Sequence, residues 1–187
     1  MSLLRTDEGH VGATSGLGRV GHDNGRLVLY FERRVVVRLV EVWRLLTASP
    51  ERGHWIPCGH DRGICGGATV QPSIWASRSD PVPQSDEVVG GTREWQAPTL
   101  FEWTTDRSTA RWELAGIGHR TDIVYIVWID AVDLQQAAID GANHHIGFAQ
   151  FVGLVETGTV PLQQAARYAE LTSDYAELFA ATLADTD

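Results

Sequence analysis

Between His54 and Cys65 the chain places two histidines and two cysteines, as His54, Cys58, His60 and Cys65. These are zinc-ligand side chains, and zinc asks for four such donors in tetrahedral array. Their spacing matches no known knuckle, so a surface loop is the favoured reading and no metal is expected. Cys58 or Cys65 with a histidine base would also be a nucleophile pair, but no third group stands in line to orient the base. Asn143-His144-His145 is a second candidate. His144 precedes Phe148 by four residues and His145 precedes Val152 by seven, so both lie beside an apolar helical stripe. A histidine there can act as a general base or bond a ligand oxygen, although a lone histidine beside an apolar face more often only packs. Glu102 and Glu113 sit on neighbouring predicted strands, and alternation with Phe101, Trp103, Trp112 and Leu114 puts both on the solvent face. Gly16-Leu17-Gly18 lacks the preceding strand and following lysine of a phosphate cradle.

Seven tryptophans stand in 187 residues. Most must fill a core, and the remainder can line an apolar pocket. By strand alternation Trp103, Trp112, Tyr125 and Trp75 face inward, and the helical stripe adds Phe148 and Phe151. Tyr125 would carry a hydroxyl into otherwise apolar surroundings.

The elements that position these residues follow from periodicity. Residues 1–25 are polar and punctuated by glycine, and read as a flexible lead-in. Leu27 to Val37 reads as a strand. Leu39, Val42, Trp43 and Leu46 form one face of a short helix, and Ser49-Pro50-Glu51 looks like a second helix start. Ala68 to Trp75 and Glu87 to Trp95 are β-prone but broken. Leu100 to Thr104, Thr109 to Leu114 and Asp122 to Val132 are clearer strands joined by short turns, which implies an antiparallel meander. Gln135 to Thr157 reads as a long helix ended by Gly158, and Leu162 to Leu183 as a further helical segment. That segment can pack on its own domain or on a neighbouring subunit. The order implies one α+β domain over 26–158, with a helical extension over 159–187.

A net charge of −9, from 24 acidic and 15 basic residues, argues against a nucleic-acid partner. No stretch is long and apolar enough to span a bilayer, so no membrane partner is expected. Two cysteines do not suggest a disulfide-built fold, and a cytoplasmic location is expected.

Glu32-Arg33, Val35, Val42-Trp43, Pro50-Glu51 and Trp55 stand at the spacing of a known pattern. Pro98 to Trp103, then Arg111-Trp112-Glu113-Leu114 with Thr121, and Gly147-Phe148 with Phe151, Leu154 and Glu156 follow in the same order. Together they resemble the SRPBCC (START-like) superfamily, in the branch similar to the activator of the ninety-kilodalton heat-shock protein ATPase. Val37-Arg38 stands where that branch has Ala-Pro, and Phe148 where it has Trp. The resemblance spans Leu27 to Gly158 and implies a helix-grip fold, a curved antiparallel sheet around a long C-terminal helix. It makes Trp43 and Trp55 packing residues. It also implies a range of roles, from ligand carriage through cyclase or aromatase chemistry to co-chaperone contacts, and fold alone does not choose among them. The residues favour binding of a small apolar or aromatic molecule, with no cofactor, between sheet and helix. A cyclase-type enzyme using a pocket His or Tyr is one alternative. A protein-interaction module is another, and a protein partner or a homodimer stays open.

Overall fold

The computed structural model describes residues 16–48, 55, 91–104, 107–130, 133–161 and 167–184. Strands β1 (Arg19–Asp23) and β2 (Arg26–Val35) precede helix α1 (Leu39–Ala48). Strands β3 (Gly91–Gln96), β4 (Leu100–Thr104), β5 (Ser108–Ile117) and β6 (Arg120–Ile129) follow, then helices α2 (Leu134–Thr157) and α3 (Tyr168–Ala184). The six strands form one antiparallel sheet in the order β1-β2-β6-β5-β4-β3. The long helix α2 packs across β2 and β6, which is the helix-grip arrangement.

Register fixes which side chains meet α2. Phe31 and Trp112 flank Tyr125 on either side, Leu29 and Ala110 flank Val127, and Phe101 lies opposite Trp112. Because a strand alternates faces, these residues share the concave side, and all are buried. The opposite face is mixed, with Val28, Val124, Ile126 and Trp128 beside charged side chains. There Arg111 lies over the Trp128 ring at 5.6 Å and its Nε donates to Glu102 at 2.6 Å. Glu102 is on the expected face, but it is not in solvent: it is only 5% exposed. Arg111 on the adjacent strand covers it, and a paired carboxylate tolerates that burial where a lone one would not.

The lead-in reading of residues 1–25 also needs correction, because β1 lies inside it and forms the sheet edge. Asn24 and Gly25 have φ of 50° and 81° and close the Asp23–Arg26 hairpin. Asn-Gly is the residue pair that this turn demands. The dense glycines masked it in the sequence.

Asp133 caps α2 by accepting from the Gln136 N–H at 2.8 Å, and Gly158 ends it at φ 75° with its N–H on the Leu154 carbonyl. Helix α3 packs on α2 of its own chain through Leu171, Tyr175 and Phe179. A Cβ at Gly141 would sit 3.1 Å from Phe179 and 3.2 Å from Tyr175, so that glycine lets the helices approach.

Candidate functional site: the concave face under α2

The strongest candidates converge where β5 and β6 pass beneath α2. Trp112 stacks on Tyr125 with centroids 4.1 Å apart, and the Phe148 ring lies parallel to Tyr125 at 6.0 Å. Phe151 meets Trp112 edge-on at 4.8 Å and Trp55 at 5.2 Å. Phe148 and Phe151 are three residues apart on α2, so both rings reach the same patch of sheet. Trp55 passes close to α2 because residue 147 is glycine: a Cβ there would lie 3.1 Å from the Trp55 carbonyl oxygen.

Into this apolar group α2 directs His144. Its Nδ1 is 2.7 Å from the Tyr125 hydroxyl, and both groups are buried. Burial raises Tyr125 well above the usual phenol range and lowers His144 to about 3. Tyrosine therefore keeps its proton and donates it to the neutral imidazole nitrogen, which places the imidazole proton on Nε2. The pair carries no charge at neutral pH.

His145 faces elsewhere. Its Nδ1 is 2.9 Å from the Tyr175 hydroxyl, which also accepts the Gly18 N–H at 3.2 Å. A phenol has one proton to give, so Tyr175 donates to His145 while accepting from Gly18. Burial, with Arg167 nearby, lowers His145 to about 4. This second pair joins α2, α3 and the start of β1; it is apart from the Tyr125 cluster, with Phe31 between at 5.7 Å from His145 and 5.9 Å from Tyr125.

Trp103 lies one strand further from Tyr125, 6.2 Å from Phe101. It pairs with Ala110 while Trp112 pairs with Phe101, so the two indoles are diagonal neighbours on the concave face. Trp112 is 1% exposed and Trp103 6% exposed. Among the described residues neither Nε1–H has a hydrogen-bond acceptor, and the Trp55 Nε1–H is in the same condition. An indole nitrogen can only donate, and leaving it buried and unpaired costs about 1–3 kcal/mol.

The structure thus gathers Trp112, Tyr125, His144, Phe148 and Phe151, sets Trp103 beside them and turns His145 away. Trp75, and the candidates His54, Cys58, His60 and Cys65, lie outside the described residues. Among the described residues no group of three metal-ligating side chains occurs. Phe31, Phe101 and Tyr175 join the contacts without having been named as site candidates. Strand alternation contained the first two, whereas Tyr175 depends on how α3 folds back.

No protein-family model matches the chain, and no curated protein matches it in sequence. Solved structures do resemble it. A conserved protein of unknown function from Enterococcus faecalis, EF2215, superposes with TM-score 0.63 at 14% identity, covering 88% of this chain and 91% of that one. CalU16 from Micromonospora echinospora gives 0.54 at 14% identity over 94% and 100%. The protein encoded by gene BPP1335 of Bordetella parapertussis gives 0.53 at 19% identity over 89% and 94%. At these identities the likeness is one of fold, shared over most of each chain. Among the described residues no helix is long and apolar enough to cross a membrane.

Proposed function

We propose that the protein binds a small, flat, apolar molecule carrying an oxygen acceptor, between the concave face and α2. One observation carries this reading: Trp103 and Trp112 are diagonal neighbours whose buried indole N–H groups have no acceptor among the described residues. A ligand carbonyl would complete them, and the surrounding rings would hold its apolar body. His144 and Tyr125, the groups expected to orient a ligand, are bonded to each other and so contribute shape and rigidity.

Binding is favoured over catalysis for a related reason. A general base works best with a pKa near the operating pH, and His144 at about 3 is far below it. The order of motifs from Glu32 to Glu156 and the shared fold support placing the chain in the SRPBCC group. The heat-shock-ATPase activator branch rests on the motifs alone, and so does a co-chaperone role. Few cysteines support a reducing compartment such as the cytoplasm.

Fluorenone and fluorene test the reading, because they differ by one ketone oxygen on the same ring frame. Titrations followed by tryptophan fluorescence should give about tenfold tighter binding of the ketone, the equivalent of one buried hydrogen bond. Trp112→Phe or Trp103→Phe should remove that preference and leave fluorene binding in place. Equal affinities for the two in the parent protein, or no binding of either, would contradict it.

A further inference from the structure

The link from β2 to α1 and the hairpin from β5 to β6 lie side by side at one end of the sheet. The Thr121 hydroxyl donates to the Val37 carbonyl at 2.7 Å, and a Cβ on Gly116 would touch the Leu39 Cβ at 2.9 Å. Three large aliphatic side chains project from this end into solvent. Val36 and Val40 are each 71% exposed and Ile117 is 69% exposed, more than any other large hydrophobic among the described residues. Single exposed aliphatics are ordinary, but three on two abutting turns form a patch.

The same end carries a second anomaly. Every other arginine with a described side chain lies within 3.7 Å of a carboxylate oxygen. Arg38 and Arg120 are exposed, and among the described residues neither has an ion-pair partner. Arg38 sits between Val36 and Val40 in the chain, and Arg120 pairs with Ile117 across the hairpin. His119 is exposed at the same tip. The acids nearest in sequence are already paired, Asp122 with Arg34 and Glu41 with Arg44. A chain of net charge −9 therefore presents unpaired positive charge where it also presents aliphatic side chains.

We propose that this end is a docking surface for a bilayer containing anionic lipid. Aliphatic side chains flanked by arginines suit an interface in which hydrocarbon lies beneath phosphate and carboxylate. Residues 115–120 are all exposed at this end, and charge favours the bilayer, whose anionic headgroups match the unpaired arginines. A second copy of the chain is disfavoured, because a symmetric contact would bring the unpaired arginines together. The charge of the whole chain argues against membrane contact only at long range; solvent ions screen it beyond about 10 Å, and the local pattern decides the approach.

The test is co-sedimentation of the full chain with vesicles of phosphatidylcholine, alone or mixed in equal parts with phosphatidylserine. The protein should sediment with the mixed vesicles at low salt, should do so less at high salt, and should not bind phosphatidylcholine alone. Arg38→Glu with Arg120→Glu should lower partitioning by about tenfold or more, since each cation near such a surface contributes on the order of 1 kcal/mol. Val36→Ser with Val40→Ser and Ile117→Ser should lower it comparably. These side chains are exposed, so unchanged circular dichroism and melting temperature keep both variants interpretable. Absence of sedimentation at low salt, equal binding to both vesicle types, or full retention by either variant would overturn the proposal. Binding of a poly-glutamate peptide without vesicle binding would overturn it in favour of an acidic protein partner.

Discussion

Mild acid should destabilise this domain through His144 and His145. Burial holds His144 at about 3 and His145 at about 4, against 6.5 for a free imidazole. A group whose folded pKa is depressed binds its proton in the unfolded chain first. Stability is therefore complete well above pH 6.5 and falls as pH drops toward the folded values. At pH 5.5, one unit below the unfolded pKa, each histidine removes about 1.4 kcal/mol, or about 3 kcal/mol together. That is a large share of the 5–15 kcal/mol typical of a domain. The carboxylates Glu41 and Asp122 are lowered by hydrogen bonds from Arg44 and Arg34 and so act at more acidic pH, outside this window. Urea unfolding at pH 7.5, 6.5 and 5.5 measures the effect. Stability should fall by about 0.7 kcal/mol over the first interval and by about 2 kcal/mol over the second, and His145→Gln should reduce the drop by about half. A midpoint constant down to pH 5.5 would refute the burial of both imidazoles.

Tyr125→Phe removes the donor to His144 and leaves a buried ring nitrogen without its partner, at a cost of about 1–3 kcal/mol in urea unfolding. A double-mutant cycle with His144→Leu should show coupling, because the second substitution removes the orphaned nitrogen. Gly141→Ala sets a methyl 3.1 Å from Phe179 and 3.2 Å from Tyr175, and a net loss of stability, after the ~1 kcal/mol that alanine gains over glycine within a helix, would mean that these rings do not give way. Faster amide exchange in α3 than in β5 would locate that damage in the α2–α3 contact.

Periodicity made the frame legible. Residues 100–104 were delimited as a strand with both ends correct, and the 135–157 helix differed by one residue, because alternation and a helical stripe are local signals. The inward aromatics followed from the same signals: Trp103, Trp112, Phe148 and Phe151 are all buried, and Tyr125 brings its hydroxyl inside. Strand β1 was hidden by glycines, although Asn24-Gly25 signals a hairpin on its own. Glu102 was assigned its face but not its burial, since Arg111 reaches it from the next strand. The bond from Gly18 to Tyr175 spans 157 residues, and no local pattern encodes it. The indole donors were legible as tryptophans, but their lack of acceptors exists only in three dimensions.

The claim that the concave face receives an oxygen acceptor is tested most directly by the indole N–H resonances of Trp103 and Trp112 in isotope-labelled protein. Free of an acceptor, both should lie at the upfield side of the indole range and should move downfield on addition of fluorenone, while fluorene leaves the proton positions nearly unchanged. Downfield indole resonances before any addition, or identical responses to the two compounds, would contradict the account.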